Sequence, residues 1–173
     1  MAALNPQLIG KDMPHGFAGC YARQPDMIVE TRPAGGSTPI PFGTPLVYDT
    51  TKPAVVAAGA SFTAAAFAGV AGCEIKSALT YLDQQAGQYA PGEPVSVFQR
   101  GSINVKAYGT PALGGTVYVR TVVSDGAYPS EPVGAFTATN ESGKTVALTN
   151  CQWGGAADAN GVAELVILTK LNA

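Results

Sequence analysis

Gln88-Tyr-Ala-Pro-Gly-Glu-Pro-Val-Ser-Val-Phe-Gln-Arg-Gly-Ser-Ile-Asn-Val-Lys106 is the stretch on which the reading of the fold turns. Val95, Val97, Ile103 and Val105 alternate with polar residues behind the turn-forming pair Pro91-Gly92. Successive side chains of a strand point to opposite faces, so this spacing predicts one buried face and one wet face. A two-residue turn at Arg100-Gly101 would set Val97 opposite Asn104 and mix the two faces. Two geometries avoid that. A three-residue loop, Gln99 to Gly101, sets Val97 against Ile103 and Val95 against Val105, with Gly101 left-handed. The other is a single long strand bent at Gly101. Both are β architecture, and neither presents a catalytic group.

Working outward, Leu46-Val47-Tyr48, Ala54-Val55-Val56 and residues 62–70 read as short strands, as do 115–123, 133–138, 144–149 and 162–171. Gly, Pro, Ser and Asp clusters separate them about every ten residues, the spacing of a sandwich or barrel. Residues 74–85 are ambiguous. Ile75, Ala78, Leu79 and Leu82 follow helical spacing, but no good N-cap precedes them, so a short helix and a strand both remain open. Seven of the 13 prolines (6, 14, 25, 33, 39, 41 and 45) fall in residues 1–45. That segment is expected to be an irregular arm, laid either on a partner or on the chain's own domain, because proline lowers the entropy cost of ordering such a wrap. The predicted fold is therefore mainly β. It is an antiparallel sandwich or barrel over residues 46–173, with a Pro-rich arm over 1–45 and at most one short helix.

Composition narrows the function. Charged residues are 13% of the 173-residue chain, about half the usual share, against 46% hydrophobic. A surface so poor in charge suits a chain that works inside an assembly. The net charge of −2, with no basic run, argues against binding nucleic acid. Pro53 to Cys73 lacks charge but is built of Ala, Gly, Ser and Thr and opens on Pro, so no membrane helix is expected. Met1 to Pro6 lack a basic stretch followed by an apolar one, so no secretion signal is expected. Cys20, Cys73 and Cys151 are far apart and odd in number, and their spacing indicates neither a zinc site nor a disulfide framework.

Motifs with chemical meaning fail on inspection. Ser142-Gly-Lys-Thr145 ends like a phosphate-binding loop, but Ala138 stands where the first glycine belongs, and a strand pattern follows instead of a helix. The stretch reads as a hairpin turn. His15 is the single histidine and sits among loop breakers, so it offers no triad or metal cluster. Glu93, Asp125 and Glu131 flank turns and read as surface charge, not as a glycosidase pair. Asn140-Glu-Ser fits a glycosylation acceptor that has no secretory context. Trp153 is either a core anchor or an interface hot spot. No enzyme activity, cofactor or metal is expected.

Several segments together resemble the capsid cement (decoration) proteins of tailed bacteriophages. These are Phe17-Ala-Gly, Phe67-Ala-Gly-Val, the stretch from Tyr89 to Val105, Gly114-Gly-Thr-Val-Tyr-Val and Val162-Ala-Glu-Leu-Val-Ile-Leu. The resemblance implies a small β protein on the outer face of a phage head, made in the host cytoplasm. Its partners would be the major capsid protein and itself, as a trimer or else a dimer, without nucleic acid or membrane. Phe17, Tyr21, Met27, Tyr89, Arg100 and Trp153 are the candidate capsid or subunit contacts. A ligand-binding module, such as a carbohydrate-binding sandwich of a tail or spike, is the alternative.

Overall fold

The structure is a computed structural model that describes residues 14–73, 86–124, 126, 128 and 131–169. The helix-or-strand question over 74–85 lies outside the described residues. The strands are β1 (Tyr21–Pro33), β2 (Ile40–Pro41), β3 (Pro45–Tyr48), β4 (Val55–Ala57), β5 (Phe67–Gly72) and β6 (Gln88–Tyr89). They continue with β7 (Pro94–Tyr108), β8 (Thr116–Arg120), β9 (Phe136–Thr137), β10 (Thr145–Trp153) and β11 (Val162–Ile167). The fold is mainly β, as the strand pattern predicts, and its helical content among the described residues is one 3₁₀ turn, Ala64–Ala66.

The long-strand geometry is the one adopted: residues 94–108 run as one strand with no hairpin at Gln99 to Gly101. The hairpin loses because its two halves already have other partners. β1 pairs along one edge from Pro94 to Ile103, and β5 takes Ser96 to Phe98 while β11 takes Gly101 to Lys106. β9 then pairs parallel with Ala107 and Tyr108, an exception to the otherwise antiparallel named strands. The circuit β7–β11–β10–β8–β9–β7 closes a five-stranded barrel, and β5, β3 and β4 extend the sheet from the first half of β7. Closure removes most free strand edges from that part of the molecule.

The expectation of one wet face fails on β7, where every residue from Val95 to Gln99 and from Gly101 to Val105 is buried. Phe98 and Ile103 are five residues apart yet share the barrel core, while Val95 and Val97 belong to a second core under β3 and β5. In an unbroken strand, residues an odd number apart face opposite ways. The alternation must therefore invert between Phe98 and Ile103, and the register of β1 shifts there too. Gly101 sits in the inversion at φ 105, and a Cβ at this position would overlap the Asp26 carbonyl oxygen and stand 3.1 Å from the Phe98 ring. A second inversion in β10 turns the core-facing positions from Val146 and Leu148 to Cys151 and Trp153.

Within the segment read as an irregular arm, Tyr21–Pro33 form a 13-residue strand, and His15 and Arg23 tie its start to β7, β11 and the turn before β11. The His15 main-chain N–H donates to Asp158 at 2.9 Å, Asn104 Nδ2 donates to the His15 carbonyl at 2.5 Å, and Arg23 Nε donates to Glu164 at 2.7 Å. Pro25 does not stop the strand because the register breaks on either side of it, between Arg23 and Ile28. The Arg23 guanidinium beside Glu164 holds that carboxyl below the usual carboxylate range.

Gly101→Ala forces both a positive φ on a side chain and a clash with main chain, so a loss of about 2–4 kcal/mol is expected in urea unfolding. A wild-type midpoint would refute the inversion. Deleting residues 1–33 strips one edge of β7 and should abolish the β-sheet circular dichroism; a truncated chain that keeps the native spectrum would show that β1 is dispensable.

Candidate functional site

No three His, Cys, Asp or Glu side chains gather to hold a metal ion among the described residues. Three features stand out on the molecule. The turn before β1 is the sharpest of them. Phe17 is 80% exposed at its tip, yet the turn behind it is tightly held. Gly19 donates to the Asn104 carbonyl at 2.7 Å, its own carbonyl accepts from Cys73 at 3.0 Å, and Cys20 donates to Phe17 at 3.1 Å. Gly19 has φ 88, and a Cβ there would come within 2.8 Å of the Phe42 Cβ, so only glycine lets the turn lie this close to the sheet. An exposed aromatic ring on a fixed backbone binds without a large ordering cost.

A second surface surrounds the inversion of β7. A shallow recess there is lined by Arg23, Asp26, Arg100 and Leu168, with Ile28 beside Arg100 on the paired strand. Arg100 donates to Asp26 at 3.2 Å, and its side chain is 42% exposed. An ion pair this open contributes little to stability, which leaves the guanidinium available to a partner.

A third feature is an ion cluster that sequence reading missed. Arg120 is fully buried and donates to Glu131 from Nε at 2.8 Å and from a terminal nitrogen at 2.5 Å. Its other terminal nitrogen donates to Glu141 at 2.9 Å, and Lys144 pairs with the same carboxylate at 2.8 Å. Lys144 first and Arg120 second hold the Glu141 carboxyl below its ordinary value. The four charges cancel, and they pin the excursion between β8 and β10 that carries exposed Val122 and Val123. Nothing in Thr116-Val-Tyr-Val-Arg120 distinguishes this arginine from a solvated one. Its burial comes with Glu131 and Glu141, from the loops on either side of β9, folding back onto it. The Ser142-Gly-Lys-Thr145 stretch follows β9 and leads into β10, but β8 separates β9 from β10, so it is a crossover turn and not a hairpin.

The six candidate contacts divide. Phe17 and Arg100 lie at the surface. Tyr21 and Met27 are half-buried against the barrel core, with the Tyr21 ring 5.0 Å from Phe98. Tyr89 is buried in the second core, where its hydroxyl donates to the Gly72 carbonyl and burial pushes its pKa up. Trp153 is 1% exposed, which settles its two readings as a core anchor. Tyr89 and Trp153 thus lie inside the cores of this fold. Exposed Leu113, at 81%, escaped the sequence reading because an isolated leucine between turns has no period to betray it. A cleft of about 450 Å³ opens between Pro39, Phe42, Ala58 and Pro132, with Lys106 and Tyr108 also lining it. The fold also brings together the Cys20 and Cys73 sulfurs, 3.3 Å apart, which spacing along the chain did not indicate.

The model of a protein family described as structural cement protein (E217 gp24/Pam3 gp6) matches residues 5–168. No curated protein matches the chain. Among solved structures, a chain of the capsid of Myoviridae phage XM1 superposes with a TM-score of 0.68 at 18% identity, covering 99% of both chains, and so shares the fold. The head fiber gp8.5 N base of bacteriophage phi29 aligns with a TM-score of 0.41 at 12% identity, over 85% of this chain and 99% of that one.

Glu131→Gln leaves the buried Arg120 guanidinium with Glu141 as its one remaining carboxylate, and a loss of about 2–4 kcal/mol in thermal or urea unfolding is expected. A change within about 0.5 kcal/mol, the range of ordinary surface substitutions, would mean that the cluster does not hold the loop.

Proposed function

The chain belongs to the structural cement protein family, whose members stabilise phage capsids, and we propose that it binds the outer face of the head and clamps neighbouring major capsid subunits. The observation that carries this reading is the family match over residues 5–168. The barrel supplies a rigid body, and the scarcity of charge suits a surface largely covered by neighbours. Phe17 and Arg100 are the contacts we assign to the capsid or to a second copy. Phe17 supplies an apolar anchor, and Arg100 supplies a planar donor able to grip a carboxylate in two places. Assembly as a trimer, with a dimer as the other arrangement, would let several weak contacts act together. Simultaneous engagement can raise apparent affinity by about 10²–10⁴ over a single contact. The protein would be made in the host cytoplasm and carried on the outside of the virion.

Co-sedimentation with heads lacking the protein tests this. Saturable pelleting at a fixed number of copies per head is expected, and no pelleting with any capsid overturns the assignment. Phe17→Ser should leave the unfolding midpoint within about 0.5 kcal/mol of wild type, because the ring buries little within the chain. The same substitution should weaken head binding about tenfold or more, as loss of an interface anchor does. Unchanged binding would remove Phe17 from the interface.

A further inference from the structure

We propose that Cys20 and Cys73 form an intramolecular disulfide when the protein meets a small-molecule disulfide oxidant such as glutathione disulfide. Their Sγ atoms are 3.3 Å apart, in van der Waals contact, so a small closure brings them to the bonded separation of about 2.0 Å. The backbone already favours that closure. The Cys73 N–H donates to the carbonyl of Gly19, the residue next to Cys20, at 3.0 Å, which holds the two segments side by side. Both thiols are half-buried, open enough for a small oxidant to reach. Cys151 differs: it is enclosed in the barrel core, where burial pushes its thiol up to about 12, so it forms almost no thiolate at neutral pH.

The chemistry is two successive exchanges. One cysteine thiolate attacks a sulfur of glutathione disulfide, breaking its S–S bond and releasing one glutathione thiolate, which takes a proton from solvent. The second cysteine, as thiolate, attacks the protein sulfur of the mixed disulfide and releases the second glutathione. The protein loses two hydrogens and two electrons, and the oxidant is reduced to two thiols. The product closes a loop between residues 53 apart in sequence and ties the turn that displays Phe17 to the end of β5. A chain made reduced inside a cell would thus be locked after release into oxidising surroundings.

The test uses the full chain, reduced, freed of reductant and then incubated with glutathione disulfide. Intact mass should fall by about 2 Da, and thiols titrated in denaturant should drop from three to one. The midpoint of thermal unfolding should rise by about 5–15 °C. Cys151→Ser should behave the same way in mass and midpoint, whereas Cys20→Ser and Cys73→Ser should lose the 2 Da change. Three thiols retained after oxidation, a stable glutathione adduct on the wild-type chain, or disulfide-linked dimers would each overturn the proposal. None of these readouts involves a capsid, so failure here is separate from failure of head binding.

Discussion

Fifteen consecutive residues of β7 must have their main-chain groups satisfied on both edges while their side chains fill two different cores. Buried backbone N–H and C=O groups are costly to leave unpaired, so most of the strand takes a partner on each side. β1 and β9 take one edge in succession, and β5 and β11 take the other. A regular strand could not then serve the barrel core with Phe98, Ile103 and Val105 and the second core with Val95 and Val97. The inversion around Gly101 resolves the conflict. The site is left-handed, admits no Cβ, and lets the Asp26 carbonyl pass where a side chain would stand. Barrel closure, the seating of β1 and the extension through β5 all depend on that one bend.

The same economy shapes the outside. With 13% charged residues, the chain cannot afford to bury ions carelessly, and Arg120 is the deepest of them. It is fully compensated by Glu131 and Glu141, so its role is to fix a loop instead of meeting solvent. Around the barrel, exposed apolar side chains are displayed on backbone fixed by the sheet, Phe17 most clearly. A surface of this kind loses little entropy when it docks.

Much of the fold was legible in the chain. β3, β4, β8, β10 and β11 were marked to within a few residues, because runs of β-branched and other apolar residues stand between clusters of turn formers. The segment 88–106 was recognisable as β, and its long-strand form stood among the readings. What misled was the assumption of one wet face, which holds only for a strand covered on one side. Residues 21–33 were obscured by their prolines, since a bulged strand interrupted by Pro25 has no clean period. Of the candidate contacts, Phe17 and Arg100 lie at the surface of this fold, whereas Tyr89 and Trp153 are buried in its cores. Large aromatic residues serve cores and interfaces equally well, so type cannot separate the two.

The sequence by itself determined the β class, the spacing of turns, the poverty of charge and the likeness to capsid cement proteins. These are properties of residue type and local period, and they survive without knowledge of partners. Only the tertiary structure decided which strand β7 pairs with, that the barrel closes, that Arg120 is buried between two glutamates, and that Cys20 meets Cys73. Each of these joins residues that are distant along the chain, and local pattern carries no information about which distant segment supplies the hydrogen-bond edge, the counter-charge or the second sulfur.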